Sequence, residues 1–357
     1  ESNVLAFERL PYTGLSKTYS ADAQVPESAA TATALMTGVK TIARVIGLGP
    51  AAAGKDCVAA RADVLTTLAE IAKARGKSAG VVTTTRLTHA TPASAYAHVI
   101  NRDWEGDADV SAEGKSAGCP DIARQLVEAP EAARLNVAFG GGRDRFTPAA
   151  AGGKRQDGQD LTKVWAGKPS SAYAADATTL AALQPGRTQH ALGLFAMDHN
   201  PYEADRAEQG AGVPTLKEMA VKAVDLLSVD KDGYFLMVEG GRIDHANHAN
   251  QSRRMVGEVA AFSDAIAAGR VAQALAASYP TELGVPLAQL HASQVTWYAD
   301  QARSFTEYIR RVKGDESFEA NLEWPMRAIE FPSSIVDTQP LPPLEPRPSL
   351  TVPYLDF

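Results

Sequence analysis

The apolar positions of the chain fall into alternating helical and extended patterns. From Asp63 to Arg75, the side chains of Val64, Leu65, Leu68, Ile71 and Ala72 share one helical face, and Gly76 follows as a stop signal. The next run, Ala79 to Thr85, is rich in Val and Thr and predicts a strand. A short helix is predicted over Ile122 to Val127, after Pro120. A strand is predicted over Leu135 to Phe139, ending in Gly140-Gly141-Gly142. Thr215 to Ser228 is the clearest helix: Thr215 and Glu218 make a capping box, and Leu216, Met219, Ala223 and Leu227 form its apolar stripe. Tyr234 to Val238 reads as a buried strand that ends at Glu239. This alternation predicts an α/β fold, a mostly parallel central sheet covered by helices on both faces. In such sheets ligands bind beyond the carboxyl ends of the strands, where Glu239 and the Thr85 to Thr91 segment fall.

Two stretches stand outside the pattern. Residues 143–190 are polar and Gly/Ala-rich and read as a surface excursion. The last 27 residues hold seven prolines, which exclude helix and central strand and predict an irregular Pro-rich C-terminal tail. The expected organisation is an α/β domain over 1–268, a divergent continuation over 269–330 and the tail over 331–357.

Composition narrows the class. With 357 residues, 45% hydrophobic and 22% charged, the chain is neither disordered, collagenous nor a coiled coil. No apolar run approaches the roughly 20 residues of a membrane span. A net charge of −7 without a basic run gives no nucleic-acid footprint. Two cysteines, Cys57 and Cys119, fit either one disulfide in an exported protein or two buried thiols. The start at Glu1-Ser2-Asn3, without Met or leader, fits an exported protein after leader removal and equally a fragment.

Three segments carry candidate chemistry. In Val25-Pro26-Glu27-Ser28-Ala29-Ala30 the proline breaks the chain and small residues enter a helix, placing Ser28 at or near its N-terminus. There a serine serves either as an N-cap or as a nucleophile beside an anion site. In Glu239 to His248, two carboxylates and two imidazoles lie within ten residues. Asp244 and His248 are four apart, share a helical face and suit one metal; the plainer reading makes Asp244 a helix cap. In Leu87 to Pro92, continuing to His98 and Asn101-Arg102-Asp103, Thr91 suits an oxygen-rich magnesium shell and Arg102 a phosphate. The plainer readings are turn chemistry at Thr91 and a surface ion pair between Arg102 and Asp103.

Together these segments resemble the alkaline phosphatase family over roughly residues 9–268. The motifs that carry the resemblance are Glu27-Ser28-Ala29, Thr88-His89-Ala90-Thr91-Pro92 with Arg102 downstream, Phe139-Gly140-Gly141-Gly142-Arg143 and Val238-Glu239-Gly240-Gly241-Arg242-Ile243-Asp244-His245. The details are closer to the animal-type branch: His89 and His245 stand where some bacterial members have Asp and Lys. Cys57 and Cys119 fall where that branch forms a disulfide, which implies an oxidised, periplasmic or extracellular protein. The resemblance implies a phosphomonoesterase with two Zn2+ and one Mg2+ per chain. Ser28 would be the nucleophile that forms a phosphoserine, and Arg102 the phosphate clamp. Asp244 and His248 would hold the first zinc, and Thr91 and Glu239 the magnesium. His89 and His245 would stand near phosphate, with Glu27 beside Ser28. The implied substrates are phosphate monoesters, and the implied assembly is a homodimer.

The chain departs from the family's pattern at three places. Glu27 replaces the usual Asp before the nucleophile. Nothing ahead of Ser28 matches the family's Gly-Asp-Gly strand, whose Asp bridges the second zinc and the magnesium. After Ile266 the resemblance fades; the nearest echo of the family's Asp-His strand is Tyr298-Ala299-Asp300, where Asp300 matches the Asp but Gln301 and Arg303 stand in histidine positions. No His follows His291, so each metal site is short of a ligand. The expected function is therefore metal-dependent hydrolysis through Ser28. The alternative is a catalytically impaired relative that binds phosphate or metal without turnover. A phosphodiesterase or sulfatase fits less well, because those place Thr or a modified Cys where Ser28 stands.

Overall fold

The computed structural model describes residues 5–9, 14 and 16–268. The expected continuation over 269–330, the tail over 331–357 and Asp300 lie outside the described residues. Five strands form one sheet: β1 (Ser78–Arg86), β2 (Val137–Gly141), β3 (Ser171–Ala174), β4 (His190–Leu194) and β5 (Tyr234–Glu239), in the order β3-β4-β2-β1-β5. Every pairing in it is parallel. The longer helices are α1 (Ser28–Thr37), α2 (Leu68–Ala74), α3 (Ile122–Glu128), α4 (Leu161–Ala166), α5 (Leu216–Leu227), α6 (Arg242–His248) and α7 (Ser252–Ala267).

Both faces of the sheet are covered, as the apolar pattern predicts. One face buries Val82, Val137, Phe139 and Leu236 against Met219 and Leu227 of α5 and Phe262 of α7. The other buries Val81, Ala138, Leu192 and Met237 against Ala72 of α2, Leu126 of α3 and Trp165 of α4. Strands buried on both sides need continuous rather than alternating apolar or small residues, and β1 is buried from Ala79 through Thr85. The carboxyl ends of β1, β2, β4 and β5 then lie along one edge of the sheet, which the parallel registers bring together.

Two boundaries and one larger expectation change. The first helix begins at Leu68 rather than Asp63, because Thr67 and Glu70 close a capping box there and Leu65 donates its N–H to Gly47 instead. The Leu135 strand begins at Val137 and runs into the glycines. Residues 143–190 are not a surface excursion. They contain β3 and α4, lead into β4, and bury Leu161 and Trp165 completely. Arg155, also fully buried, pairs with Asp121 at 3.1 Å and Asp157 at 2.5 Å and ties this segment to the N-terminus of α3. The strands escape a propensity reading because Ser171 to Ala174 and His190 to Leu194 contain no β-branched residue.

Cys57 and Cys119 form a disulfide with Cα atoms 6.0 Å apart across 62 residues of sequence, which decides between a bridge and two thiols. Loop closure of that size stabilises by about 4 kcal/mol. Replacing both cysteines with Ser is expected to lower the unfolding free energy by that amount in a denaturant titration. A loss below about 1 kcal/mol would mean that the unbridged unfolded chain is already compact.

Glu258 of α7 is buried, and its carboxylate accepts the Glu203 backbone N–H at 2.6 Å. Burial pushes this carboxyl from 4.5 up to about 7, against the opposing pull of the Glu203 N–H and Arg242. The folded state thus holds the proton more tightly than the unfolded one. The resulting stability is fully present below about pH 4.5 and is lost as pH rises through about 7. Melting curves taken across that window should fall for the wild type and fall less steeply for Glu258→Gln, where Glu239, also lifted to about 7, still contributes; parallel curves would remove Glu258 as a source.

No helix of the described residues is long and apolar enough to cross a membrane.

Candidate active site

Ser28 is the first residue of α1, and the cap before it is Glu27. The Glu27 carboxylate accepts the N–H groups of Ala29 at 2.9 Å and Ala30 at 2.8 Å. It also accepts the Arg44 N–H at 2.9 Å and Nη1 of Arg102 at 2.6 Å. Burial works to raise the Glu27 carboxyl, but these donors outweigh it and leave it below its ordinary value, as a carboxylate. The N-cap reading of Ser28 is therefore overturned: the longer acid one residue earlier takes both helix amides. The Ser28 hydroxyl makes no hydrogen bond among the described residues and faces a cleft.

Arg102 does not pair with its neighbour Asp103, which instead meets Arg44 at the surface. Its guanidinium spans Glu27 and Nε2 of His89, the latter at 3.1 Å. Arginine only donates, so Nε2 of His89 accepts and the ring proton sits on Nδ1. That Nδ1 is buried without a partner among the described residues. Nδ1 of His245 lies 3.0 Å from Nη1 of Arg242, so it accepts and its proton sits on Nε2. The two imidazoles are held in opposite tautomers, assigned here from the fixed donor role of arginine. Both are neutral: burial, then Arg102 and His245, push His89 well down, and burial with Arg242 and Arg86 pushes His245 to about 4.

Beyond the end of β5, α6 starts at Arg242 with Gly241 before it, so Asp244 is not its cap. Asp244 and His248 share a face of α6, with Oδ1 and Nε2 3.6 Å apart. Burial raises the Asp244 carboxyl, opposed by His248 and Arg102. A Cβ at Gly241 would strike the Thr85 methyl, so this glycine lets the chain turn tightly against the end of β1. Glu239 is buried beneath, accepting the Thr83 hydroxyl at 2.6 Å. Burial lifts its carboxyl to about 7, although the hydroxyls of Thr83 and Thr91 pull it down.

Ser28, His89, Thr91, Arg102, Asp244, His245 and His248 line one cleft, so seven side chains singled out from three separate sequence segments converge. Their fit to metals is uneven. Glu239 is a buried acid whose carboxyl burial raises, with the Thr91 hydroxyl beside it; as a carboxylate it would give with Thr91 the oxygen donors a hard divalent cation takes. Asp244 and His248 are a donor pair that suits two positions of a zinc shell, but among the described residues no group of three His, Cys, Asp or Glu side chains could hold a metal ion. His98, named with the Thr88 segment, is elsewhere, bonded to Glu70 and the Gly47 carbonyl.

Sequence reasoning missed one member of the site. His199 packs against His245 with ring centroids 4.4 Å apart and against His89 at 5.6 Å. Its only signal lay in the glycines that end β2: a Cβ at Gly141 would collide with the Asp198 carbonyl, so that glycine admits the 198–200 loop to the edge of the sheet.

A family model described as alkaline phosphatase matches residues 1–282. The tissue-nonspecific alkaline phosphatase of Gallus gallus is 38% identical over 289 residues, covering 76% of this chain and 54% of that protein. The isozyme of Homo sapiens is 38% identical over 281 residues, covering 74% and 53%. The membrane-bound alkaline phosphatase of Bombyx mori is 40% identical over 281 residues, covering 74% and 50%. Among solved structures, the alkaline phosphatase of Thermus thermophilus aligns with a TM-score of 0.61 at 36% identity, covering 78% of this chain and 51% of that one. The enzyme of the Antarctic bacterium TAB5 aligns with a TM-score of 0.58 at 29% identity, covering 78% and 68%. A histidine-to-glutamate variant of the TAB5 enzyme was solved with Mg bound. The chain spans about half the length of the curated relatives it matches.

Proposed function

This chain belongs to the alkaline phosphatase family, and on that premise we propose that it hydrolyses phosphate monoesters through a phosphoserine on Ser28. The observation that carries the reading is the Ser28 hydroxyl at the start of α1, unengaged among the described residues, in the same cleft as the Glu27-anchored Arg102. The serine oxygen attacks phosphorus, the P–O bond to the alcohol breaks, and the alcohol leaves with a proton. Water then attacks the phosphoserine, the P–Oγ bond breaks, and inorganic phosphate and the free serine return. The N-terminus of α1 favours the negative phosphoryl group. Each terminal nitrogen of Arg102 keeps a second N–H after serving Glu27 and His89, which suits a two-point grip on phosphate oxygens. His245 lines the cleft and offers its Nε2–H as a neutral donor.

Zinc and magnesium are family expectations. Asp244 and His248 would hold the first zinc, and Ser28 with Asp300, from outside the described residues, the second. Thr91 and Glu239 would hold the magnesium, an ion bound in the TAB5 variant. When bound, such ions supply positive charge at the attacking and leaving oxygens of an in-line transfer. A disulfide that persists fits an oxidising compartment, so we place the protein in the periplasm or outside the cell, as a homodimer in the family's manner.

A second reading, a relative that binds phosphate or metal without turnover, is favoured by the missing third ligand among the described residues. Assays with a chromogenic phosphate monoester at alkaline pH separate the two. Turnover that needs added zinc and magnesium and stops with chelator is the expected result. A folded, metal-loaded protein that binds inorganic phosphate without turnover would establish the second reading instead.

A further inference from the structure

His199 has no role in any reading so far, yet it sits in a densely bonded frame. The Arg86 backbone N–H donates to Nδ1 at 3.0 Å, which puts the ring proton on Nε2, and the guanidinium of the same residue packs beside that Nε2, with Nη1 2.8 Å away. Arg86 is itself fixed. Glu105 grips its Nε and Nη2 at 2.8 and 2.7 Å, and Asp198 meets Nη1 at 2.6 Å. The Thr88 hydroxyl, one residue before His89, reaches the same Glu105 carboxylate. Backbone bonds from Asn200 to Thr84 at 3.0 Å and from Gly142 to Asp198 at 2.7 Å seat the loop on the ends of β1 and β2.

From this frame the ring meets two of the three imidazoles that line the cleft. It is edge-on to His245, with an interplanar angle of 67°, and to His89, at 78°. His89 and His245 also meet edge-on, at 5.2 Å. His89 contacts Arg102 on its cleft side, and its other nitrogen, the buried Nδ1, has no partner among the described residues to hold the ring. Hydrogen bonding therefore fixes only one edge of His89, and one of His245 through Arg242. Packing must set the remaining freedom of both rings.

We infer that His199 is a positioning residue: its ring is the rigid back wall that fixes the planes of His89 and His245, and through His89 the aim of Arg102. Ligand-bearing groups owe their orientation to such supports, and loss of one costs about tenfold to a hundredfold. Burial, together with Arg86, His245, His89 and Arg242, keeps the His199 ring neutral, so it works as a shape and not as a charge.

The kinetic part of the test rests on the phosphatase reading, whereas the spectroscopic part does not. Side-chain 15N spectra of histidine-labelled protein should show His89 and His245 each in one tautomer, of opposite kind. In His199→Ala those patterns are expected to average. Hydrolysis of a chromogenic phosphate monoester, with zinc and magnesium, should lose about tenfold in kcat with KM little changed. His199→Phe, which restores a ring but no hydrogen bonds, should recover both readouts. His199→Asn, which keeps a partner for Arg86 but no ring, should not. Wild-type spectra in folded His199→Ala would overturn the inference, as would full recovery in Asn without recovery in Phe. Should the Ala variant fail to fold, the Phe and Asn variants decide by the same readouts. Should the wild type itself prove inactive, the phosphatase reading fails alone, and the 15N spectra with inorganic phosphate binding still judge the role of His199.

Discussion

Replacing Ser28 with alanine is expected to lower phosphomonoester hydrolysis by about a thousandfold or more while leaving the fold untouched. The two halves of that expectation come from one observation. Glu27 supplies the cap of α1, so Ser28 occupies the first helical position with its hydroxyl uncommitted. Alanine is the best helix former, and losing a hydroxyl that caps nothing should cost no stability. Had Ser28 been the cap, the same change would cost about 1 kcal/mol. The check is a pair of measurements, turnover with metal present and a thermal melt, with acid quenching to trap a phosphate adduct on the Ser28 peptide. Retained turnover would remove the nucleophile assignment. Lost turnover with a matching loss of thermal stability would return Ser28 to a structural role.

Arg102→Ala is expected to cost about a hundredfold in kcat/KM and to weaken competitive inhibition by inorganic phosphate, because a charge-assisted two-point contact is lost. Arg102→Lys should recover little. An ammonium cannot serve Glu27 and Nε2 of His89 and still grip phosphate through two parallel bonds. Comparing the three proteins by kcat/KM and by the phosphate inhibition constant tests the idea directly. A lysine variant close to wild type would show that charge, and not the planar fork, does the binding.

The parts of this fold that could be read in advance are those where local chemistry and tertiary environment agree. The Thr215–Glu218 capping box exists as a pair of reciprocal bonds, and the α5 stripe it introduces is buried where expected. β1 and β5 announce themselves through Val, Thr and aromatic residues, and their register pairs Thr83 with Glu239. The spacing of Asp244 and His248 is converted into proximity by helix geometry alone. What stayed hidden depends on contacts between distant segments. Apart from Tyr173 and His190, β3 and β4 are built from Ala, Gly, Ser and Leu, whose fitness for a strand comes from close neighbours such as Phe195 and Phe139 around Gly193. Arg102 was judged against the adjacent Asp103, whereas its partner lies 75 residues earlier. His199 sits in a polar loop that looks unremarkable until a glycine on another strand gives it room.

The arrangement around Glu27 also sets how freely this region can drift. A single carboxylate closes a helix, collects the amide of Arg44 and aims Arg102, so no neighbouring position can take over one duty without the others. Asparagine or serine would restore the cap but not the charge on the arginine, and glutamine would present one oxygen where two are in use. In a library selected for function, position 27 should therefore tolerate almost as little change as position 28. A site that never touches the substrate would then carry the mutational signature of one that does.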